Sequence, residues 1–219
     1  MKSNCYRFSR TAVALAAGVL LAFAPGAASA VETTFTGYTN GCFGGACVPP
    51  TTAGAQSATL MGLTYSNSTF DVTTAGGFVS IGATFASPNI DNLGSFTLTG
   101  LPSVYTGHSF DLRVTFTAPT GTSPNTVVFN DMLTGTVSGT NNGGVFVDFD
   151  NTVKHFTFAG GGTFDFFVND VSLTAGQSIA VSGTITSQVS PIPEPETYAL
   201  LMAGLGAVSF MARRRKKAA

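Results

Sequence analysis

The chain has 219 residues and a formal net charge of −1, but its charges fall into three unequal blocks. Residues 1–30 carry three cations and no acid, residues 31–190 carry nine acids and two cations, and residues 191–219 carry five cations and two acids. A central block with two basic residues cannot present the Lys/Arg surface that phosphate backbones require, so nucleic acid is not expected as a partner.

The first 30 residues have the pattern of a secretory signal peptide. A basic start is followed by an apolar run over residues 11–23 and by the small-residue sequence Ala28-Ser29-Ala30. This order predicts export and cleavage after Ala30 by signal peptidase. An uncleaved membrane anchor is the alternative, although the run is shorter than the ~20 residues that a span needs.

Cys42 and Cys47 are the two cysteines that remain once the signal is removed. Export would place them where disulfides persist, and Gly44 and Gly45 between them permit a tight loop. We therefore predict a Cys42–Cys47 disulfide. A zinc site would need further soft ligands close by, which the sequence does not offer.

Residues 31–190 predict an all-β domain, because apolar residues recur at every second position and no helical period stands out. The clearest runs are Phe110/Leu112/Val114/Phe116, Val145/Val147/Phe149, Phe164/Phe166/Val168 and Ile179/Val181/Ile185. Further strands are predicted at residues 58–65, 69–73, 77–83, 94–101, 127–137 and 153–158. About ten short strands separated by Gly- and Asn-rich turns predict an antiparallel β-sandwich or jelly roll.

A short acidic pattern, which also occurs in ordinary turns, suggests a calcium site. Asp148 and Asp150 are spaced to lie on one face of a strand beside Asn151, and their oxygens suit a hard cation. A weaker second group contains Asp165, Asn169 and Asp170. A solvated acidic turn is the alternative, so calcium is a possible cofactor and no other is predicted.

No enzyme activity is predicted. The sequence contains no Gly-x-Ser-x-Gly nucleophile elbow, and no pair of carboxylates is marked as flanking a cleft. No catalytic residue is therefore assigned.

Two binding functions are weighed for the β domain. Sugar binding would use aromatic platforms, for which Tyr38, Tyr65 and Tyr105 are the candidates in a chain without Trp. Ice binding would use arrays of exposed threonine, but threonine is common in strands through propensity alone. The threonine pairs that share a face are Thr97/Thr99, Thr115/Thr117 and Thr184/Thr186.

The C-terminal 29 residues contain three parts in a fixed order. Pro193-Glu194-Pro195 comes first, an apolar segment over residues 198–211 follows, and the chain ends in a basic cluster. The apolar segment predicts a short transmembrane helix, with the basic residues as a cytoplasmic stop. The cluster consists of Arg213, Arg214, Arg215, Lys216 and Lys217.

This order resembles the PEP-CTERM sorting signal of Gram-negative bacteria. The resemblance implies a precursor anchored in the inner membrane and processed by an exosortase near Pro193-Glu194-Pro195. It also implies delivery to the cell surface or exterior in bacteria that make exopolysaccharide and biofilm matrix.

We therefore expect three regions: a signal peptide at 1–30, a β domain at 31–190 and a sorting signal at 191–219. The expected function is that of an exported cell-surface or extracellular-matrix protein with a structural or adhesive role. An exopolysaccharide-binding module is the alternative, and an ice-binding protein is a more distant one.

Overall fold

The computed structural model describes residues 32–82, 91–139, 142–188 and 201–209, together with Arg213. Fifteen strands and one short helix, α1 (201–209), are found in these residues. The strands are β1 (Thr34–Phe43), β2 (Ser57–Leu60), β3 (Leu63–Ser66), β4 (Thr69–Thr73), β5 (Phe78–Ile81), β6 (Ser95–Leu98), β7 (Ser103–Val104), β8 (Ser109–Ala118), β9 (Thr126–Val137), β10 (Gly143–Asp148), β11 (Lys154–Phe158), β12 (Gly162–Val168), β13 (Val171–Thr174), β14 (Ser178–Ala180) and β15 (Gly183–Gln188).

The strands form three antiparallel sheets. The seven-stranded sheet has the order β13-β10-β9-β8-β1-β4, with β7 also paired to β9. The four-stranded sheets have the orders β11-β12-β15-β5 and β14-β6-β3-β2. The prediction of an antiparallel all-β domain is confirmed.

One apolar core lies against all three sheets. Phe35 on β1 packs with Phe164 on β12 at a ring-centroid distance of 4.8 Å. Phe110 on β8 packs with Tyr65 on β3 at 4.9 Å and with Phe96 on β6 at 5.0 Å. The seven-stranded sheet therefore faces both four-stranded sheets, and the phenylalanines of the alternating runs supply the contacts between layers.

The sequence analysis missed β1, although this strand pairs with both β4 and β8. The positions of β1 that share the face of Phe35 and Phe43 are Gly37, the buried Thr39 and Gly41. An added Cβ at Gly41 would lie 2.7 Å from Cδ1 of Tyr65 and closer still to the Phe110 ring. Glycine is needed there because rings from neighbouring strands fill the space, so the apolar period is hidden.

The number of strands was also underestimated, as residues 58–65 show. They were predicted as one strand but form the β2–β3 hairpin. Met61 and Gly62 occupy the turn with φ values of 47° and 86°. Two consecutive positive φ values are those of a type I′ turn, whose usual signal is Asn-Gly rather than Met-Gly.

The predicted orientation of Ile179 was also wrong. It was predicted to share the inward phase of Val181 and Ile185, but it is 37% exposed whereas the other two are fully buried. The reason is that β14 and β15 belong to different sheets, so the chain changes direction between them. A single alternation cannot continue across that change.

The predicted terminal segments lie mostly outside the described residues. This holds for the signal peptide with Ala28 and Ala30, for the motif Pro193-Glu194-Pro195, and for residues 214–217 of the basic cluster. In the described part of the chain, no helix has both the length and the apolar character needed to cross a membrane. Helix α1 exposes 57–70% of Leu201, Met202, Leu205 and Val208.

Candidate functional site

The predicted disulfide is present between Cys42 and Cys47, at the end of β1. The connecting loop turns at Gly44, whose φ of 102° suits glycine. The Gly44 N–H donates to the Ser109 carbonyl at 2.9 Å, and the Cys47 N–H donates to the Gly44 carbonyl at 3.0 Å. The disulfide therefore closes a small loop that is also hydrogen-bonded to the start of β8.

Asp111 lies beside this disulfide and completes a group of three side chains whose potential ligand atoms are within 4.8 Å of one another. Both sulfur atoms are already joined in the disulfide, so neither is available as the thiolate that binds a soft metal. The group does not form a metal site in the oxidised protein.

The predicted calcium ligands Asp148 and Asp150 have different local surroundings. Strand β10 ends at Asp148, which is exposed and paired with the exposed Met132. The alternation that would place Asp150 on the same face therefore stops before it. Asp150 lies in the following turn, where its carboxylate accepts the Thr152 N–H at 3.0 Å and pairs with Lys154 Nζ at 2.6 Å.

The Lys154 ammonium holds the pKa of Asp150 low, at about 2, with help from the hydrogen bonds of Thr152. Lys154 Nζ also lies 5.5 Å from the centroid of the Phe129 ring. Lys154, the first residue of β11, therefore contacts both the turn after β10 and Phe129 on β9.

Asp131 is a buried acidic residue that the sequence analysis did not single out. It lies on the core-facing side of β9 between Phe129 and Leu133 and is 1% exposed. Its Oδ1 accepts the Asp150 N–H at 3.3 Å, while its buried Oδ2 has no hydrogen-bond partner. The signal that could have found it is a charged residue in the apolar phase of an alternating strand.

Burial raises the pKa of Asp131 to about 8, and the negative charges of Asp111, Asp150 and Asp170 act in the same direction. The Asp150 N–H lowers this pKa, but by less than burial raises it. Asp131 is therefore largely protonated at neutral pH in the metal-free protein.

The second predicted acidic group is dispersed. Asp165 pairs with His155 at 2.6 Å on an exposed sheet face, and Asn169 donates to Ser182 Oγ at 3.0 Å. Asp170 instead accepts the Phe149 N–H at 3.0 Å and the Asn151 amide at 3.3 Å. The structure thus joins Asp170 to the turn that contains Asp150.

The three candidate tyrosines do not form an exposed platform. Tyr65 and Tyr105 are buried in the core. The Tyr38 hydroxyl donates to the Thr51 carbonyl at 2.7 Å, because the segment after the disulfide crosses the outer side of β1. Tyr65 and Tyr105 are therefore not available as platforms, and sugar binding by the β domain stays a prediction.

Four of the six threonine hydroxyls considered for ice binding have partners within the protein. Two bond to other threonines across strands, one to a serine and one to a carbonyl oxygen. The pairs are Thr97 with Ser178 at 2.7 Å, Thr99 with the Gly62 carbonyl at 3.1 Å, Thr115 with Thr126 at 3.3 Å and Thr117 with Thr36 at 2.8 Å.

The outer face of the β11-β12-β15-β5 sheet carries an exposed aromatic side chain. Directly paired residues place His155, Asp165, Thr186 and Phe78 in one row across the four strands. Phe78 is 53% exposed. The half-buried Phe167 lies in the next row of the same face, at roughly 12 Å by ordinary strand spacing.

The last strand, β15, ends at Gln188, and the C-terminal segment follows directly. Residues 191–216 match the family model of the PEP-CTERM protein-sorting motif. The chain carries a PEP-CTERM sorting signal. Comparison with curated proteins and with solved structures gives no match.

The PEP-CTERM signal implies export and sorting by an exosortase, with a membrane-anchored precursor as the form that is processed. The match begins three positions after the last residue of β15. The sorting signal therefore stands outside the described β domain.

Proposed function

We propose that this protein is exported, held in the inner membrane by its C-terminal segment, and processed by an exosortase near Pro193-Glu194-Pro195. The β domain is then delivered to the cell surface or extracellular matrix, where it has a structural or adhesive role. The match over residues 191–216 is the observation that carries this proposal.

Two further observations support the proposal. Strand β15 is paired on both sides, with β12 and β5, so the last described strand of the β domain has both neighbours before the motif begins. Helix α1 exposes its apolar side chains, as expected for a segment whose partner is lipid. The basic residues that follow it would remain on the cytoplasmic side.

The processing step can be tested by making the same conservative change at a glutamate inside the motif and at one just after it. Glu194→Gln alters the Pro-Glu-Pro motif, whereas Glu196→Gln makes the same change two residues later. We expect Glu194→Gln to accumulate as unprocessed protein in the inner-membrane fraction and Glu196→Gln to behave as wild type. Equal processing and release of both variants would contradict the proposed role of the motif.

An exopolysaccharide-binding role is a second candidate, supported by the exposed Phe78 face. Aromatic rings on a flat, polar sheet face can stack on sugar rings, while His155, Asp165 and Thr186 offer hydrogen bonds. The acidic domain has two basic residues among residues 31–190, which favours a neutral glycan over an anionic one.

This candidate is tested by affinity electrophoresis in gels containing a neutral polysaccharide. Phe78→Ala should abolish retardation, whereas Phe146→Ala should not, because Phe146 is similarly exposed but lies on the seven-stranded sheet. No retardation of the wild-type protein in any neutral polysaccharide would favour the structural role alone.

A further inference from the structure

Asp131 presents a buried carboxylate oxygen that the protein leaves without a partner. The residue is 1% exposed, and its Oδ2 has no hydrogen bond. An ionised carboxylate in such a place is costly unless a proton or a cation neutralises it. The position therefore calls for a positive partner.

The surroundings of Asp131 supply more carboxylates than cations. The Asp150 N–H donates to Asp131 Oδ1, and Asp170 holds the same turn through the Phe149 N–H. Three acidic side chains thus approach from β9, from the turn after β10 and from the residue preceding β13. The salt bridge of Lys154 goes to Asp150, and no ion pair of Asp131 or Asp170 is found among the described residues.

We propose that Asp131, Asp150 and Asp170 form a calcium site at this end of the β domain. The donors are all oxygens, which suits a hard cation and argues against zinc or copper. Calcium is favoured over magnesium because its larger, flexible coordination shell tolerates ligands drawn from three separate chain segments. Water would complete the coordination.

The site is not preformed. Asp131, Asp150 and Asp170 do not form a group whose ligand atoms all lie within 4.8 Å of one another. Binding must draw the carboxylates together and displace Lys154 from Asp150. This rearrangement points to weak affinity, with a dissociation constant of about 10⁻⁴–10⁻³ M, which is the range of extracellular calcium modules.

The test is the melting temperature of the purified full-length protein in chelator and in calcium. Wild type should melt roughly 3–6 °C higher in about 10 mM calcium than in chelator, and magnesium should give a much smaller shift. Asp131→Asn should lose this shift. Asp148→Asn is the matched control and should retain it, since Asp148 is exposed at the end of β10 and pairs with Met132.

A second variant keeps the test decisive if Asp131→Asn does not fold. Asp170→Asn should also lose the calcium shift, while Lys154→Gln should bind calcium several-fold more tightly because it removes the competing ammonium. No calcium shift in wild type, an equal shift with magnesium, or a shift that survives both Asp131→Asn and Asp170→Asn would overturn the site.

Discussion

Gly41 shows how closely the core rings approach the backbone of β1. The rings of Phe110 and Tyr65 occupy the space where a side chain at this position would begin. Gly45, in the disulfide loop, has only Ser109 Oγ within reach of an added Cβ, at 3.6 Å. The two glycines therefore differ in packing.

We predict that Gly41→Ala lowers the free energy of unfolding by about 1–3 kcal/mol, the usual range for overpacking a core. Gly45→Ala should change it by less than about 0.5 kcal/mol. Urea denaturation of both variants measures the difference. Equal effects would show that the rings can move aside at little cost.

The raised pKa of Asp131 predicts how the free energy of unfolding changes with pH. Its folded pKa of about 8 lies above its ordinary value of 3.8, so the folded protein holds a proton that the unfolded chain releases. The resulting stability is fully present below about pH 4 and is lost as the pH rises through 8. The charged groups that act on it are Asp111, Asp150 and Asp170.

Asp131→Asn should therefore remove part of the decline in stability between pH 5 and pH 9. In chelator, the variant should gain stability over wild type as the pH rises, while Asp148→Asn should follow wild type. Denaturant melts at several pH values provide the measurement. Parallel curves for wild type and Asp131→Asn would contradict the raised pKa.

At the scale of elements, the disulfide holds a local loop rather than the sheets. It spans five positions of sequence at the end of β1. Closing so short a loop contributes about 2 kcal/mol in the chain-entropy model. The core that joins the three sheets does not depend on it.

We predict that the double change Cys42→Ser/Cys47→Ser lowers the melting temperature by roughly 4–8 °C and leaves the β fold intact. Reducing the wild-type disulfide should give the same shift. Circular dichroism during heating checks both. Loss of β structure at room temperature would mean that the loop supports much more of the fold than its contacts indicate.

Strands with unbroken apolar alternation could be predicted from the sequence. Strand β4 was predicted with its observed bounds, and β9 was predicted to within one residue. The inward phase of Phe164, Phe166 and Val168 was also correct, since all three are buried. In these strands the sequence period directly reflects which face meets the core.

Other features depend on neighbours that are distant in sequence. The apolar alternation of β1 was hidden because aromatic rings from β3, β4 and β8 fill the space beside its glycines. The association of Asp131, Asp150 and Asp170 brings together the middle of β9, the turn after β10 and the residue that precedes β13. The disulfide was predictable because it is local, whereas the acidic cluster required the fold.

At the scale of the whole molecule, the net charge of −1 describes no functional part of the chain. The positive ends coincide with the predicted signal peptide and the matched sorting segment, and residues 31–190 carry an excess of seven acids. If both ends are removed, the delivered domain is strongly acidic. Its solubility and its interactions with matrix polymers should follow that charge.

Intact-mass spectrometry of the protein from membrane and culture-medium fractions tests the proposed route most directly. We predict a mature species that begins at Val31 and ends between Pro193 and Glu196, with the full C-terminus found only in the inner-membrane fraction. A released or surface protein that still ends at Ala219 would contradict exosortase processing.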